Sequence, residues 1–140
     1  MKHITYHSLK TYKYQLLKEF RYTTEIQPDH DVTHEFVILE KNGKLVVKEG
    51  YSWDGPSGPT IDTKTFMRGS LVHDALYQLM RLKLLPPECR DYTDKNLRKM
   101  CLEDGMCRFR AWYIYWSVHL FSGHAIRKPN PADTEKKVAP

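Results

Sequence analysis

The spacing of hydrophobic and polar positions changes period along this chain, and each change predicts an element. From Tyr12 to Ile26 the run "YKYQLLKEFRYTTEI" is rich in aromatic and β-branched residues with imperfect alternation. It predicts a strand, with a start that also admits helix. "PDHD" then supplies a turn. Next come "HEFVILE", "KNGK" and "LVVKEG", two β-prone runs around Asn42-Gly43, the strongest short-range signal for a hairpin. The first third of the chain therefore predicts a small antiparallel sheet.

After Gly50 the pattern dissolves into "YSWDGPSGPTIDT", whose interleaved Gly, Ser and Pro exclude helix and central strand and predict a shaped loop. Asp62 or Thr63 is placed to cap a helix running to about Leu82, with Val72, Ala75, Leu76, Leu79 and Met80 on its core side. Pro86 and Pro87 open a second helix at N1-type positions, and Gly105 closes it as a C′ residue. The third, "CRFRAWYIYWSVHLFSG", is apolar nearly all round and ends at Gly123; such a helix is wrapped by the rest of its domain or by a partner. Its "WYIYW" reads as core packing in preference to a ligand platform or membrane contact. The remaining "HAIRKPNPADTEKKVAP" reads as an extended tail. The prediction is an α+β domain over residues 1–124, sheet first and three helices after, with a tail at 125–140.

Composition narrows the class. At 140 residues, 41% hydrophobic and 28% charged, the chain has globular proportions and no apolar run near the roughly 20 residues a membrane span requires. "MKHITYHSLKTYKYQ" lacks the apolar core of a secretory signal. Cys89, Cys101 and Cys107 are odd in number and show no CxxC spacing. That argues against a disulfide framework or a structural zinc site, and for a reducing compartment. The net charge of +5 permits attraction to phosphate surfaces without demanding it, and Arg108, Arg110, Arg127 and Lys128 are too thin a cluster to favour nucleic acid.

The chemistry concentrates in "GSLVHDALYQLM", Gly69 to Met80. His73 and Tyr77, four apart, share a helix face, while Asp74 is rotated by about 100°. A second helix returning antiparallel would carry Asp94 towards His73, where its carboxylate could fix the imidazole tautomer and leave the other nitrogen free for a proton from water. Tyr77 could donate to the same carboxylate. Upstream, Asp54 and Asp62 flank glycines that let backbone approach a ligand closely. Hard oxygen donors of this kind, with Asp74 nearby, suit Ca²⁺ better than zinc. The alternative at each position is structural: a satisfied polar pair in a helix, a plain connecting loop, and cysteines serving as small buried hydrophobes.

The ordered series "EGYSWDGPSGP", "VHDALY", "CRDYTDKNLRKM" and "WYIYWSVHLFSG" resembles the phage and prophage family known as domain of unknown function 1353. The matching positions are Asp54, Gly55, Ser57, Pro59, His73, Asp74, Leu76, Tyr77, Arg90, Asp94 and Gly123, with Thr93 where that family has a small apolar residue. The resemblance implies a phage or prophage source and no particular activity. A second resemblance is to calcium-dependent phospholipase A2, through the Gly-rich loop, the HDxxY helix and the later Asp helix. It implies His73 as the base that activates water, Asp94 as its orienting carboxylate and Tyr77 as the residue holding Asp94. Asp74 is implied as a Ca²⁺ ligand, completed by loop carbonyls around Gly55 and Gly58. The loop here lacks that family's Gly-x-Gly spacing, the disulfides are missing, and a sheet precedes the site.

Two readings follow. One is a phage-type, metal-dependent hydrolase resembling phospholipase A2. The other is a virion structural or assembly component in which Asp54, Ser57, Pro59 and Arg90 join the His/Asp pair as a structural network. The partners expected are other virion proteins, a second copy docked through the third helix, or a phospholipid surface. The expected location is the host cytoplasm or the virion.

Overall fold

The computed structural model describes residues 6–8, 14–53 and 64–127, with the backbone alone at 6–8 and 121–127. Two compact units divide at Asp54/Gly55. The first holds the strands and the second the helices, which is the expected α+β order, sheets before three helices.

Seven strands occur among the described residues: β1 (Tyr6–Ser8), β2 (Tyr14–Leu16), β3 (Phe20–Thr23), β4 (Val32–His34), β5 (Val37–Leu39), β6 (Lys44–Val47) and β7 (Ser52–Trp53). They form two sheets, ordered β1-β2-β7 and β3-β6-β5-β4, with every pairing antiparallel. The single strand expected from Tyr12 to Ile26 is instead two strands in different sheets. Leu17, Lys18 and Glu19 are all exposed, so the alternation that would carry one strand through is lost there and the chain turns from one sheet to the other.

The expected hairpin is present between β5 and β6. Its registered pairs Val37↔Val47 and Leu39↔Leu45 put four buried side chains on one face. The connection runs through residues 40–43, in which the Gly43 N–H donates to the Glu40 carbonyl at 2.8 Å. Gly43 takes φ 97°, and a Cβ there would lie 2.6 Å from the Thr24 carbonyl oxygen, so the turn demands glycine.

The helical unit consists of α1 (Met67–Arg81), α2 (Cys89–Glu103) and α3 (Arg108–Arg127). The expected cap at Asp62 or Thr63 is not what starts α1. Those residues lie outside the described ones, and the N-cap is Phe66, with no side-chain hydrogen bond. At the other end Lys83 adopts φ 62°. Its N–H donates to the Met80 carbonyl at 3.0 Å and that of Leu84 to Leu79 at 2.9 Å, the paired bonds of a Schellman termination with lysine where glycine is usual. α2 starts at Cys89, after a turn containing Pro86 and Pro87 rather than at them. It ends as expected on Gly105, φ 103°, with Met106 N–H donating to Cys101 carbonyl at 2.9 Å.

α1 and α2 run antiparallel. Arg68 at the start of α1 reaches Asp104 at 3.1 Å and Glu103 at 3.4 Å at the end of α2. They also approach closely: a Cβ on Gly69 would meet Leu97 Cδ1 at 2.9 Å. Leu97, Cys101, Phe66 and Met106 pack with Ala111 and Ile114 of α3. α3 continues through Gly123 to Arg127, so residues 125–127 are helical and not part of an extended tail; 128–140 lie outside the described residues. The reading of "WYIYW" as core is half overturned, because Ile114 and Tyr115 are buried while Trp112, Tyr113 and Trp116 are exposed.

Candidate functional site

The polar centre of the helical unit is Asp94, in the first half of α2 and fully buried. Cys89 to Leu97 presents few apolar side chains, yet Thr93, Asp94, Asn96 and Leu97 are all buried. Local hydrogen bonds make that possible: the Thr93 hydroxyl donates to the Cys89 carbonyl at 2.8 Å, and a buried carboxylate requires several partners.

Asp94 has them from all three helices. His73 Nε2 stands 2.9 Å from its Oδ1, and the Tyr77 hydroxyl donates to the same oxygen at 2.5 Å. On the other oxygen, His119 Nδ1 lies at 3.4 Å and Arg90 Nε at 3.9 Å. Arg90 also donates through Nη2 to the His119 carbonyl, which ties α2 to the α3 backbone. The rings of His73 and Tyr77 stack with centroids 4.2 Å apart, the consequence of their i, i+4 spacing. The antiparallel return considered from the sequence brings His73 and Tyr77 to Asp94, while Arg90 is its i, i+4 neighbour on α2.

With Asp94 accepting at Nε2, His73 keeps Nδ1 for other use. That nitrogen faces Asp74 Oδ1 at 3.7 Å, an electrostatic contact longer than a hydrogen bond. Burial pulls the His73 pKa down, but Asp74 and Asp94 together more than offset it and hold the group above the ordinary imidazole value of 6.5. Asp74 differs from its neighbours: every other α1 residue from Met67 to Met80 is buried, whereas its side chain is 31% exposed. It is the point at which this polar cluster meets solvent along α1.

The remaining expected positions divide plainly. Leu76 is core. Asp54, Gly55, Ser57, Gly58, Pro59 and Asp62 lie outside the described residues. Among the described residues no group of three or more His, Cys, Asp or Glu side chains is arranged to hold a metal ion. His119 was not foreseen. Its signal was slight, a lone histidine in the largely apolar run from Ala111 to Gly123, four residues beyond Tyr115, on which its ring stacks at 5.4 Å.

Comparison with known proteins finds no match: no family model, no curated protein and no solved structure matches the chain.

Proposed function

We propose that the His73–Asp94–Tyr77 cluster is a hydrolytic site of the phospholipase A2 type in a phage or prophage protein. The observation that supports this reading most is the pairing of a fully buried, tyrosine-held carboxylate at Nε2 of His73 with a partly exposed carboxylate, Asp74, at Nδ1. In this reading Asp94 fixes the ring and its tautomer, Tyr77 fixes Asp94, and Nδ1 is the atom that takes a proton from water. Arg90 and His119 position the second oxygen of Asp94.

Asp74 fits a calcium ligand because it is a hard oxygen donor open to solvent in an otherwise closed helix. The resemblance to phospholipase A2 would add backbone carbonyls around Gly55 and Gly58, which lie outside the described residues. Bound calcium supplies polarisation of an ester carbonyl and stabilisation of its oxyanion.

A second reading is favoured by one specific observation. His73 is buried and held above its usual pKa by two carboxylates, which suits an electrostatic bridge between α1 and α2. The protein would then be a non-catalytic virion or assembly component whose network only specifies the fold.

The test is release of fatty acid from anionic phospholipid vesicles in calcium and then in chelator, with His73→Gln alongside. Calcium-dependent turnover that disappears in the variant supports the hydrolase. No turnover above the variant overturns it and leaves the structural role.

A further inference from the structure

Phe109, Trp112, Tyr113, Trp116 and Leu120 of α3 are between 42% and 67% exposed. At about 100° per residue they fall within one arc of about 100°, on the side opposite Ala111, Ile114 and Val118, which pack into the core. Phe109 and Trp112 stack on each other with centroids 6.1 Å apart. Single exposed hydrophobes are ordinary, but a continuous aromatic stripe along three turns of helix marks a surface that something covers.

The charge around the stripe says what covers it. α3 contains no Asp or Glu in its 20 residues, and Arg108 is exposed at its start. Beside it, between α2 and α3, runs a groove of about 540 Å³ lined by Lys95, Arg98, Lys99, Leu102, Glu103 and Tyr115. Glu103 also reaches Arg68, and Lys95 is paired with Asp91 at 3.0 Å. Arg98 Nε is buried and has no hydrogen-bond partner among the described residues. Tyr115 joins the groove to the stripe, its ring meeting Trp116 edge-on at 5.3 Å.

A second copy on this face would set one carboxylate-free, arginine-bearing helix against another, with like charges opposed. An anionic lipid surface satisfies both halves at once: Trp and Tyr rings settle at the headgroup level, and Arg and Lys meet the phosphates. No described helix is long and apolar enough to cross a membrane, so α3 would lie on the surface. We infer that the aromatic stripe of α3 and the Arg98–Lys99 side of the groove form a docking surface for anionic phospholipid.

The inference stands apart from hydrolysis, and ether-linked lipids keep the two separate because they present the same headgroups without a cleavable ester. The full chain is sedimented at low salt with vesicles of equimolar ether-linked phosphatidylglycerol and phosphatidylcholine, and with phosphatidylcholine alone. Trp112→Gln/Trp116→Gln and Arg98→Glu/Lys99→Glu are compared, with circular dichroism to verify folding. Binding to the anionic vesicles, weakened at least roughly tenfold in each double variant and in the neutral vesicles, is the expected result. Failure to sediment with anionic vesicles, or equal binding by the folded variants, overturns it. So does a lipid-free dimer in light scattering that the tryptophan variant dissolves, or retention of a single-stranded oligonucleotide in place of vesicles.

Discussion

His73 Nε2 lies 2.9 Å from Asp94 Oδ1, a buried contact between residues 21 apart in sequence that joins α1 to α2. Asp94 also receives Tyr77 and faces His119 and Arg90, so its carboxylate gathers side chains from all three helices. Asp94→Asn keeps the shape and removes the charge, leaving Arg90 and a protonated His73 without compensation. A loss of about 3 kcal/mol is expected in urea unfolding. An unchanged unfolding midpoint would mean the network is not held together by that charge.

The pH dependence has a definite sign. The folded pKa of His73 is raised above 6.5, so the folded state binds its proton more tightly than the unfolded chain. The stabilisation is fully present below the unfolded value and is lost as pH rises through the higher folded value. In chelator, the native protein should lose stability relative to His73→Gln as pH rises above 6.5, measured by denaturant midpoints. A relative gain over that range would contradict the assignment.

Lys83 occupies a left-handed position, φ 62°, at the end of α1. The conformation costs a side-chain-bearing residue about 1 kcal/mol that glycine does not bear. Lys83→Gly should therefore raise stability by up to about 1 kcal/mol, less whatever glycine gives back in unfolded-chain entropy. Calorimetry showing a lower melting temperature would indicate a contact of the lysine that outweighs the strain.

The cysteines should separate by reactivity. Burial pushes the Cys101 thiol up to about 12, whereas Cys107 is exposed. Since the thiolate is the nucleophile, iodoacetamide should modify Cys107 in the native protein and reach Cys101 only after unfolding. Peptide mass mapping of a brief native labelling checks this, and early labelling of Cys101 would show that α1 and α2 separate readily there.

Much of this was legible where local chemistry and tertiary structure agree. Asn42-Gly43 announced the β5–β6 hairpin, Gly105 the end of α2, and the His73/Tyr77 spacing the shared face that meets Asp94. The misreadings fall where burial, not local pattern, decides. Aromatic richness from Tyr12 to Ile26 hid the bend at Leu17–Glu19. Asp62 and Thr63 looked like better caps than Phe66, but α1 begins where packing of Phe66 and Met67 fixes it. In α3 the sequence is apolar on every side, so nothing in it distinguished buried Ile114 from exposed Trp112, nor showed that His119 would turn towards Asp94.

The hydrolytic reading assigns Asp74 a role beyond its electrostatic hold on His73, because its side chain is partly open to solvent and stands 3.7 Å from Nδ1. The most direct measurement is therefore Asp74→Asn, with calcium-dependent fatty acid release and melting temperature taken on the same sample. The account predicts turnover reduced by roughly a hundredfold or more in a variant that still folds, with stability lowered by no more than about 1 kcal/mol through the weaker hold on the His73 proton. Full turnover in the folded variant would contradict the site, and so would a native protein with no turnover at all.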